Sequence, residues 1–149
     1  MNKDIAFIES TLEQLLPLAT YMDVKITQAD NETYSCLVPL NANTKNHFNS
    51  VHAALQWAGA ELLGGIIWFK HQPSDDYLFV LKSMNIQFLK PAMTNVTASA
   101  HFSETQVKEM HASLADNGRY DFDLNSEISN ENGEVVVTTQ AQYAIRRKR

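Results

Sequence analysis

Residues 51–69 read VHAALQWAGAELLGGIIWF, an almost unbroken apolar run in which His52, Gln56 and Glu61 are the main polar members. Its composition and length predict a long helix, and a helix that is apolar on all sides must be wrapped on all sides, by lipid or by protein. A bilayer span needs about 20 apolar residues, and an unpaired Glu61 near its centre would be costly there. Gly59, Gly64 and Gly65 also leave little lipid-facing bulk. Small residues let other backbone approach closely, so the stretch is expected to lie beneath a sheet.

The flanking sequence supplies that sheet. Upstream, Ile5, Ile8, Leu12, Leu15 and Leu16 fall at helical spacing until Pro17, which predicts a short opening helix. Two extended runs between Val24 and Leu40 flank Ala29-Asp30-Asn31-Glu32 and read as a β-hairpin. Downstream, Tyr77–Leu89 alternates, with Met84, Ile86 and Phe88 on one face and Ser83, Asn85 and Gln87 on the other. Asn95–Phe102 predicts another strand. Ser103-Glu104-Thr105-Gln106 has the form of a capping box, Val107, Met110 and Leu114 follow at helical spacing, and Asn117-Gly118 closes that helix. Two further strands, from Tyr120 to Ile128 and from Val135 to Ile145, meet at the Asn132-Gly133 turn. The order is helix, hairpin, long buried helix and about four more strands, an α+β arrangement in which one curved antiparallel sheet wraps a central helix.

The 149 residues form a single domain over 1–149, with no repeat or linker and with 44% hydrophobic residues to build one core. A net charge of −5 argues against a general nucleic-acid binder. The opening Met1–Asp4 shows no basic segment leading into an apolar one, and the lone Cys36 cannot form an internal disulfide, so a cytoplasmic location is expected. Cys36 lies in a strand pattern and reads as a small buried hydrophobe. His71, His101 and His111 lack the paired spacing of a zinc site, so neither a metal nor another cofactor is expected. The basic end, Arg146 to Arg149, reads as a solvated chain end, with contact to a phosphate as the sharper reading.

Glu61 is the most informative residue. A carboxylate in an apolar helix must be paired, protonated or facing a wet site, and burial would raise its pKa toward the range of a general base. The bland reading is a carboxylate that reaches the surface or makes a structural hydrogen bond. Free N–H groups where the helix begins, at about Ala53 and Ala54, can hold a developing oxyanion. The nine residues from His52 to Glu61 turn by about half a revolution, so His52 joins a site with Glu61 only if it caps or precedes the helix. Asn46 and His52 also have ordinary readings, as a turn residue and a loop-packing ring.

Asn46, His52-Ala53-Ala54 and Glu61 together resemble the Asn-x5-His-Gly-Gly-x6-Asp/Glu pattern of the phenylacetyl-CoA type of hotdog thioesterases. Asn46-His47 with Ser50 and His52-Ala53 is similar to a thioesterase-like branch that writes Asn-His-x-x-Ser/Thr-x-His-Ala. Phe88-Leu89-Lys90-Pro91-Ala92 looks like the Phe-Leu-Arg-Pro-Ala that ends the next strand in that superfamily. The resemblance runs from about Pro17 to Ile145. It implies the hotdog fold, hydrolysis of an acyl-coenzyme A or acyl-carrier-protein thioester, and a site at a homodimer interface, with pairing of dimers as a further assembly. Glu61 would activate water or attack the carbonyl, Asn46 would position water or substrate, the Ala53 N–H would polarise the carbonyl, and His52 would fix the local geometry.

The chain departs from the pattern at three points. Ala53-Ala54 replaces Gly-Gly, which hinders approach to that backbone slightly. The strand hydroxyl of some relatives falls on Leu81, leaving Ser83 as the nearest substitute for a substrate contact. The 103–118 helix is longer than a plain hairpin. Two competing functions share the fold: a dehydratase acting on a 3-hydroxyacyl thioester, whose histidine-rich Gly-Pro loop is missing here, and a non-catalytic acyl-binding module.

Overall fold

The structure is a computed structural model and describes residues 3–149. Met1 and Asn2, half of the opening segment read for a leader, lie outside the described residues. Helix α1 (Ile5–Leu15) is N-capped by Asp4, whose carboxylate accepts from the Phe7 N–H. Pro17 ends it as expected but also starts a second helix, α2 (Pro17–Met22), with the proline in its first turn. Proline lacks an N–H that the first helical position does not use, so a stop for one helix suits the start of the next. Ile8 and Leu12 are buried and Ile5 packs beside them, whereas Leu15 and Leu16 are exposed, because the chain bends before their turn reaches the core.

The hairpin is β1 (Lys25–Asp30) and β2 (Thr33–Val38). Its two-residue loop is Asn31-Glu32, with φ of 49° and 63°, the double left-handed conformation that matches strand twist. Helix α3 (Ala53–His71) follows the 41–52 loop. Then come β3 (Tyr77–Phe88), β4 (Val96–His101), α4 (Glu104–Asn117), β5 (Arg119–Ser129) and β6 (Val135–Arg147). The Ser103 capping box is present in both directions, and Met110 and Leu114 are buried with Val107 packed beside them.

All pairings are antiparallel, in the order β1-β2-β4-β5-β6-β3. Five strand spacings of about 4.8 Å would set the edge strands of a flat sheet about 24 Å apart, twice the width of a helix. Because α3 touches all six strands, the sheet must curl around it. This is the hotdog arrangement. Two of the three helix glycines carry that close approach. A Cβ at Gly59 would sit 2.6 Å from Val38 Cγ2, and one at Gly64 would enter the Tyr143 ring, whereas one at Gly65 would meet only Phe69, at 3.9 Å. Cys36 is fully buried and burial pushes its thiol up to about 12, as a structural cysteine requires.

The two sheet edges differ. On β1, Glu9 accepts from the Ile26 N–H at 2.8 Å and Lys70 donates to the Ala29 carbonyl. On β3, among the described residues, neither a side chain nor a second strand pairs with the outer edge. No helix of the described residues is long and apolar enough to cross a membrane.

Candidate functional site

Helix α3 begins where the sequence required. His52 is its N-cap, and its Nδ1 accepts from the Ala54 N–H at 3.0 Å. The expectation of two free donors is corrected here: the Ala54 N–H is taken by the cap, and of the two only the Ala53 N–H has no acceptor among the described residues. His52 therefore belongs to the entry of the helix and not to the face of Glu61.

The loop before it is held from several sides. The Val51 N–H donates to the Ala92 carbonyl at 2.8 Å, which joins the histidine segment to the Phe-Leu-Lys-Pro-Ala segment after β3. The His52 N–H donates to the Thr44 carbonyl at 2.8 Å. Asn46 Oδ1 accepts from the N–H groups of Phe48 (2.9 Å) and Ser50 (3.1 Å) and from the Ser50 hydroxyl (3.1 Å). Its carbonyl is thus spent on the turn, and its Nδ2 is the part left for other contacts. Asn46, Ser50, Ala53 and Gln56 share an open groove of about 370 Å³ with Phe88, Leu89 and Pro91. Phe48, Phe88 and Leu89 expose large apolar surface beside it.

Along α3, Ala53, Ala54 and Trp57 are exposed and Glu61 is half-buried, while every residue from Leu62 to Trp68 is buried. Ala54, Trp57 and Glu61 follow i, i+3, i+7 spacing, so one stripe of the first half of the helix is open. Among the described residues, the Glu61 carboxylate has no hydrogen-bond or ion-pair partner; desolvation holds its pKa above the ordinary carboxylate range. Of the two bland readings, the structural hydrogen bond is not met, whereas a carboxylate that reaches the surface agrees with the half-buried position. Its backbone carbonyl, by contrast, accepts from the Tyr143 hydroxyl at 3.0 Å, which ties this turn to β6.

Within one chain the candidates are only partly assembled. Asn46 and Ala53 share the groove, and Glu61 lies eight residues further, about 12 Å along the helix axis. Ser83 is not with them. A bulge between Leu81 and Ser83 puts Leu81 on the inner face and Ser83 on the outer, where its hydroxyl donates to Gln142 Oε1 at 3.2 Å. Sequence reasoning missed Gln56, a buried amide donating to the Val51 carbonyl at 2.9 Å; its polarity inside an apolar run was the available signal. The basic end is mostly engaged: Arg146 pairs with Asp121, Arg147 donates to the Leu114 carbonyl and so caps α4, and Lys148 donates to the Asp75 carbonyl.

Comparison with known proteins agrees with this architecture. The sequence model of a family described as a domain of unknown function, DUF4442, matches residues 6–145. No curated protein matches the sequence. Among solved structures, the chain is similar to a protein of Pseudomonas aeruginosa described as a probable thioesterase, with a TM-score of 0.86 at 20% identity over 99% of this chain and 98% of that one. A protein from Chlorobaculum tepidum gives 0.84 at 18% identity, covering 95% and 93%. A thioesterase from Haemophilus influenzae gives 0.75 at 13% identity, covering 97% and 91%. At these identities the likeness establishes the hotdog fold.

Proposed function

The chain belongs to the DUF4442 family, and for this member of it we propose hydrolysis of an acyl thioester, carried by coenzyme A or a carrier protein, with Glu61 as base or nucleophile. The observation that carries the reading is Glu61 itself: an unpartnered carboxylate on the open stripe of an otherwise enclosed helix, with its pKa raised by desolvation. A partly desolvated carboxylate left without a partner gains nothing for the fold and makes sense where a reaction uses it. As base, Glu61 takes a proton from water while the water oxygen bonds to the thioester carbonyl carbon. The negative charge passes to the carbonyl oxygen, is held by the Ala53 N–H, and returns as the carbon–sulfur bond breaks and the thiolate takes up the proton. As nucleophile, the carboxylate bonds to the carbonyl carbon as the carbon–sulfur bond breaks and the thiolate leaves; water then cleaves the resulting anhydride, returning the Glu61 carboxylate and the free acid, and a proton from that water goes to the thiolate. Asn46 contributes its Nδ2 to substrate or water.

The groove and Glu61 become one site in a homodimer, in which the helix of one protomer meets a strand of the other. The unpaired β3 edge and the apolar Phe48, Phe88 and Leu89 beside the groove support that assembly. The test is release of free thiol from a panel of acyl-CoAs by the wild-type chain and by Glu61→Gln, with thermal unfolding on the same preparations. Hydrolysis that falls by orders of magnitude in a folded Gln variant is the expected result. Wild-type turnover in that variant would remove Glu61 from the mechanism.

A further inference from the structure

Gln56 is 4% exposed, and its Oε1 is the one buried side-chain polar atom without a hydrogen-bond partner among the described residues. Its Nε2 donates to the Val51 carbonyl at 2.9 Å. Burying an amide oxygen unpartnered costs folding free energy; a methionine of similar shape would remove that cost but leave the buried Val51 carbonyl without its donor, so the two effects roughly offset. Stability alone therefore does not account for a glutamine here. The peptide that it holds does. Val51 is clamped at both ends, its N–H by Ala92 and its carbonyl by Gln56, and the next N–H, of His52, is held by Thr44. These three bonds fix the orientation of the chain at the point where it turns into α3, one residue before the free N–H of Ala53.

We infer that Gln56 is a positioning residue: it fixes the Val51–His52 peptide and through it the direction in which the Ala53 N–H faces the groove. The kinetic part of this inference rests on the hydrolase reading; the structural part does not. A donor aimed at a developing oxyanion is sensitive to small displacements, so losing the clamp acts on turnover before it acts on folding.

The experiment is Gln56→Met, measured in three ways: thermal unfolding, kcat and KM on octanoyl-CoA and benzoyl-CoA, and the NMR shift and hydrogen exchange of the His52 and Ala53 amides. The expected result is a melting temperature within a few degrees of wild type, kcat lowered about ten- to a hundredfold with little change in KM, and altered His52 and Ala53 amides. A variant that melts far below wild type or fails to fold while the wild type is stable would overturn the inference, because the amide would then serve the fold. Unchanged kcat would do the same. If the wild type hydrolyses neither substrate, the hydrolase reading fails separately, and the amide measurements still decide the role of Gln56: unchanged His52 and Ala53 signals would refute it.

Discussion

Replacing Gly64 by alanine places a methyl carbon well inside the van der Waals surface of Tyr143 Cζ and Cε1 and 2.8 Å from its hydroxyl oxygen. Non-bonded carbons settle at about 3.5–4.0 Å, so ring or helix must move by about 1 Å or more. The ring has nowhere to go. Tyr143 is fully buried, stacked on Phe79 at 5.1 Å and on Phe122 at 5.2 Å, and its hydroxyl donates to the Glu61 carbonyl. Overpacking costs about 1–3 kcal/mol and the lost hydroxyl bond about 1 kcal/mol, while alanine recovers about 1 kcal/mol of helix propensity. The net loss is about 1–3 kcal/mol, or a fall in Tm of about 3–10 °C for a chain of this size. The adjacent glycine is the control, because a methyl at Gly65 meets only Phe69 at 3.9 Å. Gly65→Ala should therefore gain up to about 1 kcal/mol. Urea unfolding followed by tryptophan fluorescence, at one fixed protein concentration, measures both. Changes of the same sign at the two positions would refute the packing argument, as would an undiminished cost of Gly64→Ala in a Tyr143→Leu background.

Other outcomes follow from named contacts. His71 Nε2 is 2.6 Å from the Tyr34 hydroxyl, and burial together with Lys70, His111 and Lys3 lowers its pKa to about 4. The folded state then binds fewer protons than the unfolded one between about pH 4 and 6.5, so its stability contribution is present at neutral pH and lost as the pH falls through that window. Full linkage would amount to about 3 kcal/mol, which partial exposure reduces to about 1–2 kcal/mol. His71→Gln, whose amide can still hydrogen-bond Tyr34, should lose less Tm than wild type between pH 7 and 4.5, and equal losses would contradict the assignment. Ser103→Ala removes the α4 cap and should cost about 1 kcal/mol by urea titration. Activity should show an acid limb above the ordinary carboxylate range, set by Glu61, and a limb at ordinary carboxylate pH would argue against it. Sedimentation should give a dimer at micromolar concentration, and a folded monomer there would count against the shared site.

The element order was legible because each element carried its own signal: the all-round apolar 51–69 run, the Ser103 capping box, the Asn132-Gly133 turn. The second helix was not, since Pro17 marks an end and a beginning with the same residue. The left-handed Glu32 in the hairpin loop is a conformation that glutamate does not advertise. At the site, motif spacing located Glu61 and the His52 cap, but it could not reveal that Asn46 turns its carbonyl inward on its own loop or that His52 occupies the Ala54 N–H. Ser83 lies on the face that its alternation with Met84 and Ile86 indicated; the bulge that separates it from the inward Leu81 was not legible, because bulges leave no fixed signature. Contacts that depend on a second copy of the chain are absent from any one-chain pattern.

The unequal edges bear on growth as well as on pairing. A sheet with two open edges can add chains without limit, each new arrival offering the next its own free margin. Here Glu9 and Lys70 occupy backbone groups of β1, so the β3 side is the margin more open to extension. Two molecules meeting through β3 bury that margin in each other and present only sealed β1 ends outward. Strand addition of this kind would stop at two, and a lesion that freed β1, such as Glu9→Ala with Lys70→Ala, would let such a pair grow toward linear polymers.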